Sequence, residues 1–262
     1  MIVIPDFPLP SDISQKISFR VANVRDCMKI SELDPERDEV ATTFFLNNQQ
    51  DTEKQNGVVH DSLLWTGEDR RTALWWIYIS THPEDTTLPY QFGENVVDID
   101  LLDLSSTTTT LSINKEVPIS FLAKGEETKA TVSPLNGRAL EEIEQTVIQR
   151  NQFEEGSAPY RTLSNKIAMQ ELVYSLKIEG EPEDQSEAEE YRYELLMTMP
   201  LEEEFRSLIA IVVEAKERLR HGLLTTYMDG VYWLTHSIKS KEGKDSNPVL
   251  FPFQGRNFLP TL

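Results

Sequence analysis

Residues 96–102 read Val-Val-Asp-Ile-Asp-Leu-Leu, and this stretch decides the fold class. Val97, Ile99 and Leu101 alternate with Asp98 and Asp100. A repeat of two is the period of a strand with one buried face. Downstream, TTTTLSIN at 107–114, VPISFLA at 117–123 and KATV at 129–132 are rich in β-branched residues, which suit a pleated surface. Gly125 marks a hairpin turn between the last two. Residues 95–134 are therefore expected to form a small β module.

On either side of that module the period is helical. Upstream, Asp34-Pro35 reads as a helix start, with Val40, Ala41, Phe44 and Phe45 on one face of a helix to about Asn47. NQQDTEKQNGVVH, 48–60, reads as a loop. Thr66-Gly-Glu-Asp69 resembles a capping box opening a helix to about Ser80, whose stripe is Ala73, Leu74, Ile77 and Tyr78. A short strand is expected over KISFRVA, 16–22. Downstream, Leu140, Ile143 and Val147 form one stripe, and Leu163, Ile167 and Tyr174 begin another. Leu201, Phe205, Leu208, Val212, Ala215 and Leu219 repeat at four and three. Glu202 to Glu204 in the first turn and Lys216, Arg218 and Arg220 in the last match the helix dipole. TTYMDGVYWLTHSI, 225–238, reads as a strand pair turning at Asp229-Gly230. The sum is an α+β chain. Its expected division is an N-terminal α+β domain, 1–135, and a mostly helical domain, 136–262, that ends in a short β element and an aromatic tail.

Composition limits the function classes. The chain has 262 residues, 39% of them hydrophobic and 9% aromatic, enough for a core. Its 44 acidic against 25 basic residues give a net charge of −19. That field repels phosphates, so nucleic acid is not an expected partner. Cys27 is the only cysteine, which leaves no intrachain disulfide and no thiolate zinc site. The opening MIVIPDFPLP lacks the basic flank of a signal peptide, and no apolar run reaches membrane-spanning length. A soluble intracellular protein without membrane contact is expected.

No motif of catalysis stands out. Asp98, Asp100 and Asp103 are oxygen donors, but they lack the glycine and terminal glutamate of a calcium loop. A strand with a solvated face explains them better than a metal-dependent hydrolase. His60, His82, His221 and His236 show no metal-ligand spacing, and no serine sits in a nucleophile elbow. The 11 glycines form no phosphate-binding pattern. No catalytic residue, cofactor or metal is expected.

What remains is apolar surface. Trp75 and Trp76 straddle the edge of a core helix. Phe251, Phe253, Phe258 and Leu259 crowd the end of the chain. These six are the expected partner-binding residues. Leu250 to Phe253 would form a strand on the Tyr232-Trp233 element, which narrows the contact to Phe258 and Leu259. Deleting 256–262 would then spare folding and weaken binding.

The order of elements also carries a family resemblance. LVYSLKIEG (172–180), YELLMTMPLEEEFRSL (193–208), KERLRHG (216–222) and the end VLFPFQGRNFLPTL (249–262), with KISFRVANVRD and TGEDRRTALWWIYIS before them, resemble the baseplate hub assembly proteins and tail assembly chaperones of T-even-like contractile-tailed phages. Such proteins often carry Cys-x-x-Cys knuckles. Here the matching places read LPYQF (88–92) and VYWLT (231–235), so Tyr90, Phe92, Tyr232 and Trp233 would replace metal by packing. The resemblance implies a non-enzymatic helper in the host cytoplasm that binds hub subunits or the tape-measure protein during virion assembly. Alternatives are a structural baseplate subunit kept in the virion and an acidic DNA-mimic inhibitor.

Overall fold

The computed structural model describes residues 2–92, 95–111, 114–237 and 248–260. Its elements in chain order begin with β1 (Phe7–Leu9), β2 (Asp12–Ile17), α1 (Val24–Ser31), α2 (Asp38–Asn48), α3 (Gly67–Thr81), β3 (Thr87–Phe92) and β4 (Asn95–Asp100). They continue with β5 (Val117–Ala123), β6 (Glu126–Val132), α4 (Gly137–Arg150), α5 (Ala158–Ser175), β7 (Leu176–Ile178), α6 (Gln185–Met197), α7 (Arg206–Arg218), β8 (Thr225–Met228), β9 (Val231–Ser237) and β10 (Pro248–Pro252). The fold is α+β, with small antiparallel sheets: β1-β2, β3-β4, β5-β6-β7 and β10-β9-β8.

The chain divides into two compact units, and neither is continuous with the expected domains. One comprises Met1–Thr110 with His221–Leu262; the other is Leu111–Arg220. The expected boundary near residue 136 falls inside the second unit. The reason is strand pairing. The expected β module separates into β3-β4, in the first unit, and β5-β6, which pairs with β7 from the far side of two helices. Period two shows that a segment is a strand; it does not say which strand lies beside it.

Local chemistry sets most element ends. The hairpins turn at Lys124-Gly125 (φ 55° and 79°) and Asp229-Gly230 (φ 53° and 78°). Two successive left-handed residues match the twist of the flanking strands, and the second position favours glycine. Thr66 accepts the Asp69 amide at 3.1 Å. The Asp69 carboxylate does not close a capping box, because it turns instead to Ser11. Asn136 and Asp184 cap α4 and α6 through the Ala139 and Glu187 amides. The helix expected from Asp34 starts at Asp38, after a turn in which Asp34 accepts the Glu36 amide at 2.9 Å. Of the strand expected over 16–22, residues 16 and 17 end β2 and residues 18–22 are largely extended chain leading to α1, where Asn23 and Asp26 form a capping box. Of TTTTLSIN, Thr109 makes a bridge to Gly222, and residues 112 and 113 lie outside the described set.

The unit Leu111–Arg220 has an apolar core. Val117, Phe121 and Val132 of the sheet meet Leu172, Leu176, Leu208, Val212, Ala215 and Leu219, all buried. Leu208 to Leu219 follow the expected stripe, but Leu201 is 61% exposed. Residues 201–205 form a π turn, in which the Arg206 amide donates to the Leu201 carbonyl. The wider turn rotates Leu201 off the stripe.

Candidate functional site

The sheet of the unit Leu111–Arg220 carries a groove of about 1010 Å³. Residues 118, 120, 129, 131 and 177 share its outer face, because Pro118 lies opposite Thr131, Thr131 opposite Lys177, and Ser120 opposite Lys129. The segment Glu179–Glu183 and the α6 residues Gln185 and Arg192 wall it on one side. Arg192 is buried and structural. Its Nε lies 3.1 Å from Glu181 Oε2, and its Nη1 donates to the Leu176 carbonyl at 2.6 Å and to the Val173 carbonyl. Glu181 also accepts the Ile178 amide at 2.8 Å. Beside the groove, Tyr174 donates to Glu142 at 2.6 Å, and Glu142 pairs with Arg138 at 3.0 Å. Burial and then the Glu142 hydrogen bond push the Tyr174 phenol well above its ordinary pKa. Among the described residues, the groove is lined by hydroxyls and charges of both signs together with apolar groups such as Pro118, Ile119, Leu176 and Ile178, with neither histidine nor cysteine.

α7 adds an apolar ridge to the same unit. Ile209 and Val213, one helical turn apart, are 37% and 55% exposed, and the exposed Leu201 lies about two turns before Ile209, at the start of the π turn. Met197, near the end of α6, is also exposed. The sequence stripe conceals this ridge, because it reads only the face that the core takes.

The six expected contact residues are placed differently. Trp75 is buried and donates its indole N–H to the Leu101 carbonyl at 2.8 Å. Trp76 is half-buried and donates to the Pro5 carbonyl at 3.0 Å. Phe251 lies opposite Leu234 in the β10-β9 pair and against Tyr90, with ring centroids 5.2 Å apart. Phe253 and Phe258 stack at 4.5 Å, Phe258 meets Tyr78 edge-on, and Leu259 is buried as well. The aspartate that opens α2 explains this inward turn. Asp38 accepts the Gly255 and Arg256 amides at 2.7 and 2.8 Å, pinning the tail after the strand ends. Gly255 permits that approach, since a Cβ there would stand 2.6 Å from Thr42 Oγ1. As placed, five of the six have almost no surface to offer a partner, and the sixth is engaged at its polar atom.

The first unit instead contains a buried polar cluster that sequence reading missed. Arg70 and Arg71 of α3 are 0% and 2% exposed. Both guanidinium groups reach the Glu39 carboxylate: Arg70 at 3.1 Å, and Arg71 through Nη1 at 3.2 Å and through Nη2. Arg70 also donates to Thr43 Oγ1 and to the Ser62 and Glu39 carbonyls. Burial opposes ionisation of Glu39, but Arg71 and Arg70 outweigh it and hold its pKa low. The face of Tyr232 lies 4.7 Å from the Arg71 guanidinium. Nearby, His221 Nε2 is 2.7 Å from Thr66 Oγ1 and 3.7 Å from Asp69. Ser11 donates its hydroxyl to Asp69 rather than to the imidazole. The hydroxyl on the imidazole is that of Thr66, which also accepts the Asp69 amide as the cap of α3. A signal was present in the sequence: Arg70 shares the stripe of Ala73, Leu74 and Ile77 at spacings of three, four and seven.

Asp98 and Asp100 lie in β4 and Asp103 in the helical turn after it, which Asp100 caps by accepting the Leu102 amide at 3.0 Å; Asp100 also accepts the Thr86 hydroxyl at 2.6 Å. No group of three potential metal ligands occurs among the described residues. Among them, no helix is long and apolar enough to cross a membrane. No family model, curated protein or solved structure matches the chain.

Proposed function

We propose that this protein is a non-catalytic assembly factor that holds a protein partner on the unit Leu111–Arg220. The observation that carries the reading is the exposed apolar ridge Leu201, Ile209 and Val213 on a chain of net charge −19. Charge keeps such a factor soluble, and a compact apolar patch within a polar surround is the usual mark of a docking face. The family resemblance supplies the partner class: a hub or tape-measure subunit of a contractile phage tail, bound in the host cytoplasm before polymerisation. The docking face thereby moves from the aromatic tail to α7.

Co-expression with the hub and tape-measure subunits tests this. One of them copurifies, and Ile209→Glu with Val213→Glu abolishes copurification while the unfolding midpoint stays close to wild type. Retention of the complex by that double variant refutes the ridge as the contact. Failure of the wild type to copurify with either subunit refutes the partner class.

A further inference from the structure

The turn between β5 and β6 holds the entry to α7. Its two residues, Lys124 and Gly125, lie beyond the last ladder pair, Ala123 opposite Glu126. Their amides converge on one carboxylate. Lys124 donates to Glu204 Oε2 and Gly125 to Glu204 Oε1, each at 2.8 Å. Both residues are left-handed, with φ of 55° and 79°, and a turn of successive N–H groups suits an anion. The charge on the acceptor strengthens both bonds. Glu204 belongs to the π turn 201–205.

The hydrogen-bond ladder of that turn sits between two registers. The Pro200 carbonyl accepts the Glu204 amide at 3.1 Å, an α-type bond, and the Phe205 amide at 3.0 Å, a π-type bond. The Arg206 amide then reaches back to Leu201. Moving the Phe205 amide to the Leu201 carbonyl and the Arg206 amide to that of Glu202 would restore the α register without losing a bond. The ladder therefore does not choose between them.

The side chains do choose, in opposite senses. A π turn holds one residue more than the α pattern, so winding it out turns residues 201–204 by about 100° relative to α7. In an α-helix Leu201 would stand two turns before Leu208 and share its face. The α register thus sends Leu201 toward the stripe of Leu208, Val212 and Ala215, all buried, whereas the π register leaves it 61% exposed. The same rotation carries Glu204 away from the hairpin turn. Burial of a leucine favours one register, and the carboxylate clamp favours the other.

We propose that residues 201–205 are a two-register switch latched by Glu204. With the carboxylate in the hairpin turn, the segment is π and Leu201 is presented on the ridge. With the clamp broken, it winds into the α register and Leu201 joins the core stripe. Glu204 is a positioning residue for Leu201. That Leu201 then meets a partner rests on the docking reading above; the change of register does not.

NMR on the full-length chain tests the switch. Couplings across hydrogen bonds identify the acceptor of each amide, and a soluble paramagnetic agent reports exposure of the Leu201 methyls. In the wild type the Phe205 amide couples to Pro200 and the Arg206 amide to Leu201, and Leu201 relaxes as an exposed side chain. In Glu204→Ala the acceptors become Leu201 and Glu202, and the paramagnetic enhancement at Leu201 falls several-fold, to the level of buried Leu208. Unchanged methyl shifts of Val132 and Leu176 show that the core is intact. Wild-type acceptors in E204A overturn the proposal. So does an E204A variant that loses both couplings while Leu201 stays exposed, because the clamp then only prevents fraying. A wild type already bonded in the α register overturns it too. The readout needs no partner, so it stands or falls apart from copurification with hub or tape-measure subunits.

Discussion

Both units pack aliphatic and aromatic side chains, and they differ in the charges set among them. Leu111–Arg220 closes on aliphatic and aromatic side chains, Val117, Phe121, Leu208 and Val212 among them. The other unit places two arginines and a glutamate at its centre, beside the Ser11–Asp69 and Thr66–His221 contacts. An apolar core tolerates exchange of one hydrocarbon for another of similar volume. A buried ion cluster does not, because each charge is tolerable only through its partners. The Glu39–Arg70–Arg71 cluster should therefore be specific and fragile, and the packing around Leu208 forgiving.

The sharpest break of that comparison is Glu39→Gln, which removes the carboxylate shared by Arg70 and Arg71. It should cost about 3–5 kcal/mol, whereas Leu208→Met in the other core should cost less than about 1.5 kcal/mol. Urea unfolding of both variants decides; equal losses would remove the distinction. Phe258→Ala comes next, with an expected loss of about 3 kcal/mol for a buried aromatic. The same unfolding curve tests whether the tail belongs to the core. A change below about 0.5 kcal/mol, the range of an ordinary surface substitution, would return Phe258 to the surface.

The smallest effect is on pH dependence. Burial raises the Asp38 pKa, reinforced by the charge of Glu39, and burial also raises that of Glu68. In this window the native state keeps protons that the unfolded chain has released. The contribution of these groups is full below the ordinary carboxylate pKa and is lost as pH rises through the raised values. Glu39 and Asp26 have the opposite sign, since their pKa values are lowered. Their contribution is present above the ordinary value and lost as pH falls through the lowered one. Asp38→Asn with Glu68→Gln should therefore gain stability relative to wild type as pH rises from about 4 to neutrality. A stability difference that stays constant with pH would show that neither carboxyl carries the linkage.

How much of this was legible depends on the range of each interaction. The hairpin turns at Gly125 and Asp229-Gly230, the Thr66 cap of α3, the strands β5 and β9, and the burial of Leu208 to Leu219 were readable from neighbours a few residues apart. The β10 strand and its place beside Tyr232-Trp233 were readable too, because both segments carry strand-forming residues. The candidate site was not. The groove requires β7, only three residues long, to return beside β6. The ridge on α7 appears only once the core has taken the opposite face. The inward turn of Phe258 depends on Asp38, more than two hundred residues away in sequence.

By itself the sequence determined an α+β chain with an acidic balance and the local chemistry of its turns and caps, since periodicity, charge and φ preference act over a few residues. Only the tertiary structure decided that Arg70 and Arg71 share one buried carboxylate, that the aromatic tail is core, and that the turn at Lys124-Gly125 holds Glu204. Those outcomes arise when distant segments meet, because burial and pairing belong to the meeting and not to either segment alone.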